Sequence, residues 1–243
     1  TFTRKAAREM LTRASNLLGQ GLHGVTGGTF HSFANLMLRR YAGALELKND
    51  FTILDRPDSE EIVKQVKDAN DIGRKDRSFP KKNTIYSLIS KSRNKELSLE
   101  DIMARDSSHL LIYQEDIQRI SDLYQEYKTS YSLVDYDDLL FLLERLLLER
   151  EDIREFLSSW HQYIMVDEFQ DTNLVQGRLV RLLAGDEGNV MAVGDDAQSI
   201  YSFRGATVGN ILGFTQTYPQ CKVIKLEQNY RSTQPILSLC NQI

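Results

Sequence analysis

YIMVDEFQDTN, residues 163–173, is the stretch on which the reading of this chain turns. Residues 163–166 form a short apolar run that stops at Asp167 and Glu168. A buried strand ending in two carboxylates suits a parallel sheet, where ligands sit at the carboxyl ends of strands. One carboxylate can hold magnesium, directly or through water, because this hard cation prefers oxygen ligands. The other can polarise a water for attack on a phosphoryl group. Gln170, Asp171 and Thr172 add hydrogen-bonding groups close by. An acidic pair after a strand is also an ordinary solvated turn, and this stretch alone leaves both readings open.

Downstream, VGDDAQSIYSFRGA (193–206) has the same form: an apolar run, 189–195, ends in Gly194-Asp195. Gly194 lets the backbone turn sharply beside a ligand. Gln198 is uncharged and suited to sensing a terminal phosphate or its attacking water. Tyr201, Phe203 and Arg204 place two aromatic faces and a guanidinium within four residues. Bases stack on such rings whatever their identity. Core packing is the plainer reading of Tyr201 and Phe203, set against their Gly/Ser/Arg surroundings. A third segment, LEQNYRST (226–233), follows another apolar run. There Tyr230 can stack on a base while Arg231 reaches a phosphate. The alternative is a helix start with Ser232 or Thr233 as cap and Tyr230 packed inside.

Helical periodicity predicts helices over 4–18, 32–45, 58–70, 83–93, 98–105, 109–128, 138–149, 173–184 and 207–216. Strands are predicted around 25–30 and over 163–166, 189–195 and 222–226. The chain therefore reads as an α/β sheet flanked by helices, interrupted by a polar, charge-rich helical insertion over 51–133.

The composition, 41% hydrophobic and 26% charged, suits a soluble globular protein with a sizeable core. No run of apolar residues is long enough to span a membrane. Two cysteines, Cys221 and Cys240, cannot build a disulfide scaffold or a cysteine metal site, which points to a reducing cytosolic (cytoplasmic) compartment. A net charge of −4 argues against nucleic acid, yet it conceals an asymmetry. Residues 1–50 hold seven Lys/Arg against three Asp/Glu, and 74–95 hold eight against the single Asp76. The acids gather in 135–171, at Asp135, Asp137, Asp138, Asp167, Glu168 and Asp171 among others. Basic runs can bind phosphate backbones and acidic clusters can hold cations, while a solvated helix face explains either.

These segments, in this order, resemble the UvrD/Rep/PcrA family of superfamily 1 DNA helicases. The resemblance extends to TFTRKAAREM (1–10), GTFHSFANLMLRRYA (28–42) and DYDDLL (135–140). It implies a RecA-like parallel sheet of the P-loop NTPase type. The first core domain would comprise 1–50 and 134–228, with 51–133 inserted and 229–243 beginning a second. It also implies ATP and Mg2+ as cofactors and single-stranded DNA, with its junctions to duplex, as partner. Repair or replication proteins are possible further partners, and motion is 3′ to 5′. By resemblance Asp167 is the metal ligand and Glu168 the catalytic base. Gln198 contacts the γ-phosphate, Tyr230 stacks on adenine and Arg231 reaches the γ-phosphate. Thr1, Phe2, Thr3, Thr29, Phe30, His31, Tyr136, Tyr201, Phe203 and Arg204 form the DNA track. His31 reads equally well as a hydrogen-bonded, partly buried side chain.

The chain departs from the family in three ways. Phe203 stands where better-known members carry tryptophan, and the loop reads Gly-Asp-Asp-Ala-Gln (194–198) instead of Gly-Asp-Ala-Asp-Gln. No G-x-x-x-x-G-K-[ST] phosphate loop or first strand is found, so both are expected before Thr1 and the isolated chain is expected to be inactive. Two rivals remain: a non-catalytic DNA-binding module, and a two-metal nuclease using Asp135, Asp137, Asp138, Asp167 and Glu168. The basic run 74–95 is expected to grip duplex DNA through Lys81, Lys82 and Lys91 among others.

Overall fold

In the computed structural model, residues 1–243 are described apart from Phe2, Gln20, His23, Asp186, Glu187, 200–204, Asn241, Ile243 and the Cys240 side chain. Two compact units are formed, Thr1–Leu212 and Gly213–Ile243.

The first unit is mainly helical: α1 (Arg4–Leu18), α2 (Phe30–Tyr41), α3 (Arg56–Ala69), α4 (Lys82–Lys95), α5 (Leu99–Asp106), α6 (Gln114–Ser130), α7 (Tyr136–Glu149), α8 (Glu151–Trp160), α9 (Leu174–Ala184) and α10 (Gly209–Leu212). Among the described residues its strands form two parallel pairs. The pair β1 (Thr52–Ile53) and β2 (Leu133–Val134) joins the two ends of the helical stretch between them. The pair β3 (Ile164–Val166) and β4 (Val190–Ala192) is linked by α9, a βαβ unit in register Ile164↔Val190, Met165↔Met191 and Val166↔Ala192. The fold is therefore α/β in character, with much more helix than sheet. None of the described helices is long and apolar enough to cross a membrane.

Two hydrophobic cores lie within this unit. One gathers Val63, Ile85, Ile102, Met103, Ile117 and Ile120 from α3 to α6. The other is centred on α7, whose Leu139, Leu140, Leu143, Leu146 and Leu147 are all buried against α2, α8 and α9. A helix apolar on most of its circumference has to be enclosed, and α7 is.

Two predicted strands are absent. Residues 25–29 and 222–226 carry strand-like side chains but take no strand assignment, and Val223, Ile224 and Leu226 are exposed. A strand exists only by pairing, and the described residues offer these segments no partner. Around 29 a stronger local signal takes over. Thr29 and Ser32 form a reciprocal capping box, which starts α2 at Phe30, ahead of the expected 32.

The second unit contains α11 (Phe214–Thr217) and α12 (Gln234–Cys240). The Phe214 and Tyr218 rings lie against each other, with centroids 4.7 Å apart.

Candidate functional site

The carboxyl end of β3 is held by its neighbour. The Val193 amide donates to Val166 O at 2.8 Å, and the Phe169 amide donates to Val193 O at 2.9 Å. Between these two bonds the chain passes through Asp167 and Glu168. Glu168 takes a left-handed backbone, φ 54° and ψ 45°, which a non-glycine residue keeps only where its surroundings enforce it. Here the enforcement comes from buried Phe169 and a 3-10 turn over Phe169–Asp171. Asp167 is half-buried.

Glu168 is exposed, but its carboxylate is tethered: Gln170 Nε2 donates to Glu168 Oε2 at 2.7 Å. Asp171 has one oxygen, Oδ1, buried without a hydrogen-bond partner. Its own burial and the neighbouring Glu168 hold this carboxyl above the usual carboxylate range. Asp167, Glu168 and Asp171 carry the hard oxygen donors that magnesium takes, but among the described residues they do not form a three-ligand cluster.

From the other strand, the loop after β4 folds over this end. Asp195 closes a small turn on itself, accepting from the Ala197 amide at 3.1 Å and from Gln198 Nε2 at 2.7 Å. The Asp195 amide donates to Gln170 Oε1 at 3.1 Å, and Ser199 Oγ to Gln170 O at 3.4 Å. A Cβ on Gly194 would overlap Gln170 Oε1 and come within 2.6 Å of Ile211 Cδ1, so any larger residue there would displace the Gln170 side chain. Glu168 and Gln198, far apart in sequence, are thus brought to one place. Tyr201, Phe203 and Arg204 lie outside the described residues. Beyond them Gly205 (φ 74°) packs against the backbone of Asn94 in α4. Asn210 Nδ2 then secures the segment to Thr172 O, Thr172 Oγ1 and Asn173 O at 3.2, 2.9 and 2.8 Å.

The residues expected to follow DNA are partly brought together. The rings of His31 and Tyr136 meet edge to face, with centroids 5.8 Å apart and planes at 61°. They stand at the first turns of α2 and α7. Thr3 and Thr29 also do structural work, capping α1 and α2 through their hydroxyls. Phe30 is half-buried against the α7 core, and Phe2 lies outside the described residues. A cavity of about 500 Å³ opens beside Thr1, between 26–30 and residues 163–166.

In the second unit Tyr230 is exposed, so the packed alternative does not apply there. Its turn is closed by Asn229 Oδ1, which accepts from the amides of Arg231 (2.8 Å) and Ser232 (2.9 Å).

The acids at 135–138 correct an expectation. They do not join Asp167 and Glu168 in a metal cluster, and no such group of three or more ligands exists among the described residues. Asp135 and Asp138 form the capping box of α7 and are buried. Lys128 Nζ from α6 donates to Asp135 Oδ2 at 2.6 Å and to Asp138 Oδ2 at 2.7 Å. Arg93 from α4 pairs with Asp138 as well, and Ser90 Oγ donates to Asp137 Oδ2 at 2.6 Å. Burial alone would raise the Asp135 carboxyl, but Lys128 and Arg93 outweigh it and hold the group below its ordinary value. This removes the footing of a nuclease built on these acids.

The basic run 74–95 is likewise partly neutralised. Arg74 pairs with Asp71, Lys82 with Glu61 and Lys91 with Asp106, while Arg93 is committed to Asp138. These acids come from outside the run, so a window count could not reveal the pairing. Sequence reading also gave no sign of what Gln170 and Lys128 do, because their partners Asp195 and Asp138 lie on other elements.

The family described as UvrD/REP helicase N-terminal domain matches residues 1–219. DNA helicase II of Salmonella typhimurium is 39% identical over 243 residues, covering 100% of this chain and 33% of that protein. ATP-dependent DNA helicase PcrA of Staphylococcus epidermidis is 37% identical over 243 residues, again 100% of this chain and 32% of the relative. A probable DNA helicase II homolog of Rickettsia felis is 39% identical over 249 residues, 100% of this chain and 36% of the relative. The chain spans about a third of the length of these relatives.

Proposed function

The chain belongs to the UvrD/REP helicase family, and we propose that it supplies the water-activating side of the ATP site in a motor that moves 3′ to 5′ on single-stranded DNA. The observation that carries this reading is the joining of Glu168 to the Asp195–Gln198 turn through one buried side chain, Gln170.

In this reading Asp167 holds magnesium, directly or through water. Bound there, the ion would offset phosphate charge as the γ-phosphoryl group departs. Glu168 accepts a proton from the attacking water, and its tether to Gln170 keeps the carboxylate on one side of the turn. Gln198 reports the γ-phosphate. Tyr230 and Arg231 contribute adenine stacking and a charge on the γ-phosphate from a second lobe beginning near 229. The first lobe comprises 1–50 and 134–228, with 51–133 inserted.

Thr1, Phe2, Thr3, Thr29, Phe30, His31, Tyr136, Tyr201, Phe203 and Arg204 track the strand, with the ring pair His31–Tyr136 as a base-stacking surface. Among the described residues Lys81 is in no ion pair of the kind that engages Lys82 and Lys91, so of these three it is the better candidate for duplex contact.

The reading is tested on partial duplexes with a 3′ or a 5′ single-stranded tail, using the longer polypeptide that contains these residues. ATP- and magnesium-dependent displacement of the 3′-tailed duplex is expected. Displacement only from 5′ tails, or strand cleavage without ATP, would contradict it.

A further inference from the structure

Gln170 is about 1% exposed, yet both polar atoms of its side chain are engaged, one within its own turn and one by the loop after β4. Nε2 donates to Glu168 Oε2 at 2.7 Å, and Oε1 accepts from the Asp195 amide at 3.1 Å. Its main-chain oxygen accepts from Ser199 Oγ at 3.4 Å. The turn that presents Gln198 is therefore held at both ends by this one residue. Gly194 leaves the space that the side chain needs.

We propose that Gln170 is a positioning residue that makes the water-activating carboxylate of Glu168 and the Asp195–Gln198 turn a single mechanical unit. A change at Gln198 on nucleotide binding would then reach Glu168 through Asp195 and Gln170. The inference rests on the function proposed above.

The residue type is specific to the task. An amide donates and accepts at opposite corners without charge. Glutamate keeps the acceptor for the Asp195 amide but cannot donate to Glu168 when ionised. Methionine has similar length and does neither. An exposed glutamate otherwise samples several rotamers, so loss of the donor releases Glu168 even if the turn stays in place.

The two substitutions separate the two bonds. In the 243-residue chain, amide exchange at Asp195 should accelerate in Gln170→Met and stay near the unsubstituted rate in Gln170→Glu. In the longer polypeptide, kcat for DNA-stimulated ATP hydrolysis should fall roughly 10- to 100-fold in both variants. KM for ATP should move by no more than about two-fold, since the contact acts on the reacting step and not on binding. A purely structural role predicts instead that Gln170→Glu, with Asp195 still protected, retains nearly full kcat, and that result overturns the proposal. Should Gln170→Met fail to fold, Gly194→Ala, which displaces the same side chain, takes its place with the same expected kcat loss. Absence of ATP turnover by the unsubstituted protein would overturn the ATPase reading itself. Normal turnover with an unaffected Gln170→Glu overturns the positioning role alone.

Discussion

Lys128 of α6 and Asp135 at the start of α7 form a fully buried ion pair, Nζ to Oδ2 2.6 Å, with Tyr124 OH donating to the same oxygen at 2.9 Å. The pair joins the insertion's core to the α7 core through the turn that also caps α7. Removing one partner of such a pair strands the other's charge in a low-dielectric setting.

Lys128→Met should accordingly destabilise the chain by about 3–5 kcal/mol, because Asp135 and Asp138 both lose their shared cation. Urea unfolding at neutral pH measures this. A loss under about 1 kcal/mol would mean that the network contributes little, as surface pairs do.

The same network sets an acid limit. The folded Asp135 carboxyl titrates below its unfolded value, so its stabilisation is complete above the unfolded pKa of about 4 and is lost as pH falls through the folded pKa. Urea midpoints should stay level from neutral pH to about 5 and then drop, with a shallower acid limb in Asp135→Asn. An unchanged limb in that variant would assign the acid loss to other carboxylates.

His31 and Tyr136 should share a role in holding DNA. Tyr136→Ala removes a ring that can stack on a base for about 1–3 kcal/mol, so single-strand affinity should fall roughly 5- to 100-fold. His31→Ala should weaken binding less, and the double variant less than additively, since the rings touch. Fluorescence anisotropy with a labelled oligonucleotide provides the reading. Unaltered affinity in both single variants would remove these rings from the track.

The 243-residue chain by itself contains no glycine-rich phosphate loop with its lysine. It should therefore hydrolyse no ATP above background, even with magnesium and single-stranded DNA present. DNA-stimulated turnover by this chain alone would show that its phosphate site is built differently.

What was legible in the sequence was local. The strand ending at Asp167 and the apolar helix over 138–149 each announce themselves within a dozen residues, and both are present. Helix α8 is hidden in the sequence because it follows α7 directly at Arg150, with no glycine or proline to mark the break. Its apolar spacing, Ile153, Phe156, Leu157 and Trp160, was nevertheless there to be counted. Residues 25–29 and 222–226 show the reverse error, since strand propensity cannot supply a neighbour. Asp135 and Asp138 looked like metal ligands because Arg93 and Lys128, which neutralise them, lie on other helices. Gln170 was visible only as a nearby polar group, because its purpose depends on Asp195, which the fold brings in from the next strand.

The central claim concerns Glu168, and the most direct measurement is the single-turnover rate of ATP hydrolysis, with single-stranded DNA, by the longer polypeptide carrying Glu168→Gln. This substitution preserves shape and removes the proton acceptor. Hydrolysis should slow by roughly 100-fold or more while ATP binding stays within about three-fold of the unsubstituted protein. A variant that binds ATP and hydrolyses it at the unsubstituted rate would contradict the account, and the acidic end of β3 would be an ordinary solvated turn.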